Sequence, residues 1–396
     1  MTDKKKKLTL KCCSLDMSGY ASFSRAIALE LYQYTDIDIV IEPLRWINSG
    51  NLPLPSEEVR IIRELEAKHL TEEYRRNISE YTLIHFSIAP EFQRAYPQHR
   101  TFGYTMLETN VIPQEWVLKC NNMDGVFVPS YFNLSSFVKS GVKVPIRTVP
   151  LGIDYSLYDR EQEPLYSKDI IKTKLNFIIV GQWTPSDRKN IEKTLRLFFS
   201  IFKNDRDVGL IMKVHGTGAG TMDRMAVTEA IQLIRSKMGF KENEGPQIYL
   251  VHGALPPKDM ARLYKNADVF ILPSYGEAWG MPIMEAAVSG LPIITTGGTG
   301  AEMFLNPDSS LMLSYKADAV PKTMYWKGVY GPNQDITVPD WEEFGKFLQQ
   351  LRDPKLLAIA KQAATEQVQE LKQRDFSWKK TVQTLLYSLK ELGGLD

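Results

Sequence analysis

Short apolar runs alternate along this chain with longer stretches in which apolar residues recur at helical spacing. In the first part, residues 8–13, 37–42, 82–86, 101–106, 126–129 and 147–150 read as strands. Between them, residues 21–32, 56–76, 113–121 and 131–140 carry helical periodicity, the second with a heavily charged face. Residues 151–174 are polar and lack a strand pattern, so they read as a linker. The alternation then restarts. Residues 176–180, 210–214, 248–251, 269–272 and 293–296 read as strands with helices between, one of them over residues 190–203. Phe376, Ser377 and Trp378 open a last helix that runs to Leu392. Strands that alternate with helices form parallel sheets covered by those helices. The pattern therefore predicts an α/β chain with two doubly wound, Rossmann-like domains.

The length agrees, because 396 residues exceed what one core usually serves. Hydrophobic residues at 43% and charged residues at 24% fit an ordinary soluble globular protein. A formal net charge of +1 gives no strong nucleic-acid signal, since a protein of that class normally carries a basic excess. The three cysteines, Cys12, Cys13 and Cys120, form neither a disulfide framework nor a metal-spaced set. A cytoplasmic location is the simplest expectation. No apolar run reaches the ~18 residues of a membrane span, which excludes a transmembrane segment and leaves peripheral membrane contact open. The charge run Lys4 to Lys7 reads as a solvated lead-in to the first strand. The five histidines are scattered. The two Asp-x-Asp runs, at Asp36 and Asp38 and at Asp205 and Asp207, lead into strands rather than follow them. Ligands of doubly wound sheets bind at the opposite end, so no metal site is expected.

The chemistry concentrates in Pro273 to Gly290, which reads PSYGEAWGMPIMEAAVSG. A glycine-bearing loop follows a buried strand and leads into Pro282, a residue suited to the first helical position. Gly290 and Pro292 stop the helix. A helix start presents unpaired N–H groups and the positive end of the helix dipole, a natural seat for phosphate. Glu277 and Glu285 lie eight apart on either side of that start. Carboxylates beside an anion seat repel phosphate but accept hydrogen bonds from sugar or ribose hydroxyls. Phosphate and polyol side by side are what a nucleotide sugar requires. Gly297, Gly298, Thr299 and Gly300 form a second backbone-rich cradle after the next strand. Arg188 and Lys189 stand where the loop starting at Gly181 meets its helix, a placement that opposes the helix dipole and so points to a ligand anion.

This run resembles the donor-site signature of retaining glycosyltransferases of the GT-B fold, most like glycosyltransferase family 4 (glycosyl transferases group 1) with its E-x7-E pair. The resemblance spans most of residues 100–155 and 176–305 and is thin before residue 100. It implies two Rossmann-like domains facing a cleft, with the C-terminal helix crossing back to the first. Residues 1–155, joined by 376–396, would form the N-terminal acceptor-side domain, and 156–375 the nucleotide-sugar-binding domain. It also implies transfer of a sugar from a UDP- or GDP-linked donor to an acceptor glycan, glycoconjugate or other hydroxyl compound. Transfer would retain anomeric configuration and need no metal and no separate cofactor.

Residue by residue, the resemblance implies that Glu285 holds the ribose and Glu277 the sugar hydroxyls. Backbone N–H groups of Trp279, Gly280 and Met281 would face sugar or phosphate. Lys189 and Arg188 would neutralise the leaving diphosphate, with Gly181 and Pro273 among the donor contacts. The family's arginine after this strand is Gln182 here, which shifts that load to Arg188. Gly19 resembles the glycine of the first-domain loop that approaches donor phosphate. Many relatives carry a histidine over the reacting sugar, and this chain has Glu108 in that region. Glu108 would bind an acceptor hydroxyl or steady developing positive charge; a loop carboxylate in water is the other reading. His85 reads as a capped strand-end histidine. Glu277→Ala is expected to cut turnover while sparing the fold. Two rival readings stand beside this one: a phage-type nucleic-acid base glucosyltransferase and a nucleotide-sugar epimerase of GT-B architecture.

Overall fold

The computed structural model describes residues 5–46, 53–94, 99–158, 162–241 and 244–395. Lys4 and part of the expected linker, residues 159–161, lie outside them. The chain divides into two compact units, Met1–Ile153 with Asp375–Asp396, and Asp154–Arg374. These boundaries fall a residue or two before those read from the sequence.

The first unit runs β1 (Lys7–Cys13), α1 (Gly19–Tyr34), β2 (Asp38–Leu44), α2 (Ser56–Lys68), α3 (Glu72–Asn77), β3 (Thr82–Phe86), β4 (Thr101–Tyr104), α4 (Gln114–Asn121), β5 (Gly125–Val128), α5 (Tyr131–Ser140) and β6 (Ile146–Thr148). Among the described residues its sheet has six parallel strands in the order β2-β1-β3-β4-β5-β6. β3, β4 and β5 are buried along their whole length, which is why they read as continuous apolar runs rather than alternating ones. α5 shows how local chemistry sets a boundary. Ser130 accepts the Asn133 N–H at its start, and Gly141 at φ +100° ends it in the left-handed conformation. The helical stretch read over 56–76 is two helices. Thr71 accepts the Tyr74 N–H and so begins a second helix after a turn.

The second unit runs β7 (Leu175–Gln182), α6 (Ile191–Ile201), β8 (Val208–His215), α7 (Thr221–Lys237), β9 (Gln247–His252), α8 (Pro257–Tyr264), β10 (Val269–Leu272), α9 (Met281–Val288), β11 (Ile293–Thr296), β12 (Leu311–Leu313), β13 (Tyr315–Ala319), β14 (Asp335–Pro339), α10 (Trp341–Gln350) and α11 (Pro354–Arg374). Among the described residues its parallel sheet has six strands in the order β12-β11-β10-β7-β8-β9. β7 leads outward to β8 and β9 on one side, and the chain then returns to place β10 on the other. The order therefore reverses between β7 and β10, and a crevice opens at their carboxyl ends. β13 and β14 form a separate antiparallel hairpin.

The chain closes with α12 (Trp378–Glu391), which belongs to the first unit. Ser377 caps it by accepting the Lys380 N–H, and Thr381 donates to the Pro150 carbonyl at 3.0 Å. Gly152 is required here, because a β-carbon would lie 2.6 Å from the Trp378 ring. Among the described residues no helix is long and apolar enough to cross a membrane, and no cluster of His, Cys, Asp and Glu is arranged to hold a metal.

Candidate functional site

Two loops meet at the crevice of the second sheet. The loop after β7 ends in Asp187, Arg188, Lys189 and Asn190, immediately before α6. Asp187 and Asn190 adopt positive φ, 40° and 55°, in a segment that must turn sharply into the helix. Asp187 accepts the N–H groups of Ile191 and Glu192 at 2.8 and 2.9 Å and so caps α6; burial pushes its pKa up to about 6, against those two bonds. The loop after β10 carries Pro273 to Gly280. The two loops are bonded to each other: Asn190 donates to the Pro273 carbonyl at 2.7 Å, and the Tyr275 N–H donates to the Arg188 carbonyl at 2.9 Å.

Glu277 sits at the centre of this junction, 5% exposed. Lys189 Nζ lies 2.9 Å and Arg188 Nη1 3.3 Å from its Oε1. Arg188 also donates to the Gly276 carbonyl. Burial alone would raise the Glu277 carboxyl, but Lys189 and then Arg188 outweigh it, and its pKa ends below the ordinary value. The group is therefore ionised at neutral pH, an acceptor rather than a proton carrier. The sequence reading gave Glu277 to the sugar hydroxyls and Lys189 and Arg188 to the diphosphate, as separate contacts. The structure instead joins Glu277 to both cations in one ion-paired cluster. Gly181 is part of that fit, because a β-carbon there would lie 2.4 Å from Lys189 Cδ.

α9 starts one residue earlier than read, at Met281, so Pro282 is its second residue. Gly280 caps it at φ +92°, with no side-chain cap bond and no acid in the first turn. The start of this helix thus keeps its dipole uncompensated by its own side chains. Trp279 is buried against Phe304 at a centroid distance of 5.0 Å, so it anchors the loop from below. Gly300 holds the loop from the other side. Its N–H donates to the Glu277 carbonyl at 2.6 Å, and a β-carbon would come within 1.9 Å of the Ala278 carbonyl oxygen.

Glu285 has different company. Tyr264 Oη lies 2.8 Å from its Oε2, and the Tyr158 ring packs beside that of Tyr264 at a centroid distance of 6.1 Å. Burial pushes the Glu285 pKa up to about 7, with the Tyr264 bond and the field of Lys213 pulling the other way. Lys213 is itself buried in β8, donates to the Gly253 carbonyl, and has its pKa pressed down to about 8. Tyr158, Tyr264 and Lys213 escaped the sequence reading. Lys213 left a signal, a lone cation inside the apolar strand LIMKV. The tyrosines left none, since either reads as core. The hairpin was also missed. Thr337 of β14 donates its N–H and its hydroxyl to the Tyr275 carbonyl at 2.9 and 2.8 Å, bracing the Glu277 loop.

Gly19 and Glu108 belong to the first unit. Gly19 is the first residue of α1, behind the Ser18 cap, and a β-carbon on it would meet nothing within 4 Å. Glu108 is partly buried in the segment after β4, near enough to Tyr20 for its charge to act on that phenol. His85 is the last but one residue of β3. It is buried within β3, bonded through Nε2 to the Gln93 carbonyl at 2.8 Å, and burial holds its pKa down at about 4.

Residues 174–322 match a family model described as Glycosyl transferases group 1. That stretch of the chain is similar to this family. The group 1 segment contains every residue of the Glu277 and Glu285 neighbourhoods except Tyr158 and Thr337. A curated relative, the alpha-monoglucosyldiacylglycerol synthase of Streptococcus pneumoniae, is 25% identical over 182 residues, which is 45% of this chain and 38% of the relative. The chain thus spans well under two thirds of that protein's length. Among solved structures, sucrose-phosphate synthase from Thermosynechococcus elongatus superposes with a TM-score of 0.63 at 15% identity, covering 98% of this chain and 99% of that one. HepE from Anabaena, solved in complex with UDP and glucose, gives 0.62 at 14% identity, covering 98% and 100%. The architecture is that of the GT-B glycosyltransferases, two parallel α/β sheets with their helices.

Proposed function

We propose that this chain is a retaining glycosyltransferase that moves a hexose from a UDP- or GDP-linked sugar to an acceptor hydroxyl, without a metal in the chemical step. The observation that carries the reading is the buried Glu277–Lys189–Arg188 cluster at the strand-order reversal, beside the start of α9. Two cations and one carboxylate leave a net positive charge there, which together with the helix dipole suits a diphosphate. As the bond to the sugar breaks, negative charge grows on the departing diphosphate. Preplaced cations and N–H groups stabilise that charge more than the ground state, which lowers the barrier. Glu277, ionised, accepts hydrogen bonds from sugar hydroxyls. Its depressed pKa makes it a poor proton acceptor, which favours a mechanism in which the leaving phosphate takes the acceptor's proton on the same face. Glu285 accepts from the ribose.

Gly19 and Glu108 are proposed as first-unit contacts to donor phosphate and acceptor hydroxyl. The name of the pneumococcal relative puts the hydroxyl of diacylglycerol among the acceptors to be assayed. The direct test is thermal shift with UDP, GDP and their sugar conjugates, since a ligand that binds only the folded state raises the melting temperature. A rise with one nucleotide series that is lost in Lys189→Ala is the expected result. No shift with any of them would overturn the proposal.

A further inference from the structure

We infer that Tyr264 is a positioning residue for donor binding: its hydroxyl holds the Glu285 carboxylate in the orientation that a ribose diol needs. The inference rests on the reading of Glu285 as a donor ligand and deepens it.

Tyr264 is the last residue of α8, and Tyr158 ends a short 3-10 turn over Tyr155–Tyr158. The Tyr264 ring is fully buried, between Tyr158 at 6.1 Å and Phe270 at 6.3 Å. Phenylalanine would fill that space equally well, so what tyrosine adds is the hydroxyl. A buried phenol needs a partner. The Tyr264 hydroxyl has two acceptors in reach, the Pro282 carbonyl at 3.3 Å and Glu285 Oε2 at 2.8 Å. A hydroxyl has one proton, and the shorter bond to an anion is the stronger.

The charged group facing Glu285 is Lys213, reaching from β8; the titratable groups packed on it are the two tyrosines. A carboxylate has about four acceptor positions. The Tyr264 phenol occupies one of them and leaves others for a pair of vicinal hydroxyls. The same bond has an electrostatic effect. Burial drives Glu285 toward its neutral form, and a neutral carboxyl loses acceptor capacity. A phenol that donates to it favours the anion. Removing that hydroxyl therefore loosens the carboxylate and raises the pH at which it ionises.

The test is calorimetric titration of UDP and GDP into the full chain between about pH 6 and pH 9. For the nucleotide that binds, wild-type affinity should fall as the pH drops through neutrality. In Tyr264→Phe, affinity near pH 7 should fall about tenfold, the loss of one charge-assisted hydrogen bond. The midpoint of the pH curve should move up, and affinity should recover toward wild type by about pH 9. Melting temperatures without ligand show whether the variant folds. A phenylalanine variant that binds as wild type, or that weakens equally at every pH, overturns the inference while leaving the donor reading intact. Glu285→Gln that binds nucleotide as wild type does across the range overturns the donor reading itself, and this inference with it.

Discussion

The surroundings of Glu277 and of Glu285 treat the same side chain in opposite ways. Eight residues apart on one loop-helix segment, both carboxyls pay the penalty of burial, yet one is driven below its ordinary pKa and the other up to about 7. Full positive charges at 2.9 and 3.3 Å outweigh burial at Glu277. At Glu285 the partners are a neutral phenol and a more remote ammonium, and burial prevails. A pair of identical residues thus presents one fixed anion and one titratable acceptor. Environments that push two carboxyls apart mark separate roles.

The largest expected effect breaks this contrast at its charged end. Glu277→Gln keeps the shape and removes the anion, leaving two partly buried cations without their counter-charge. Loss of one partner of a buried ion pair costs about 3–5 kcal/mol, so a marked drop in melting temperature should accompany the fall in turnover. This revises the expectation that Glu277→Ala spares the fold, because Glu277 is buried and paired rather than a free loop residue. Lys189→Ala should lower turnover by about 10²–10³-fold, as for loss of one transition-state donor, with steady-state rates as the check.

A smaller effect is expected from Gly181→Ala. The new methyl would displace a flexible lysine stem rather than backbone, so the melting temperature should hold while nucleotide affinity falls. Unchanged affinity would show that the exact path of the Lys189 stem does not matter. Thr337→Val removes one of the two bonds that brace the Tyr275 carbonyl, and denaturant unfolding should show a loss of about 1 kcal/mol. The gentlest probe is pH. Glu285 has a folded pKa above its unfolded one, so the folded state holds the extra proton between about 4.5 and about 7, and stability falls as the pH rises through that window. Glu285→Gln should flatten that part of the stability profile. Glu277 works in the other sense: its stabilisation is present above its unfolded pKa and is lost as the pH falls through the depressed folded value.

The sequence by itself determined the alternation, and with it the α/β class. Strands such as Val269–Leu272 and Ile293–Thr296 and the helix Tyr131–Ser140 are legible to the residue, because burial on both faces and strong caps leave local marks. It also determined that Glu277, Arg188 and Lys189 stand at loop-helix junctions of one unit, since Gly, Pro and helix periodicity are local signals. Tertiary structure alone decided the partnerships. Lys189 and Glu277 are 88 residues apart and meet only because the strand order places β7 beside β10. Tyr264 and Thr337 look like ordinary core and hairpin residues until the fold brings their hydroxyls to Glu285 and to the Tyr275 carbonyl. Periodicity records which face of an element is buried, not which distant element covers it. The sign of each glutamate's pKa shift, a balance of burial against charge over a few ångströms, is set only once that cover is in place.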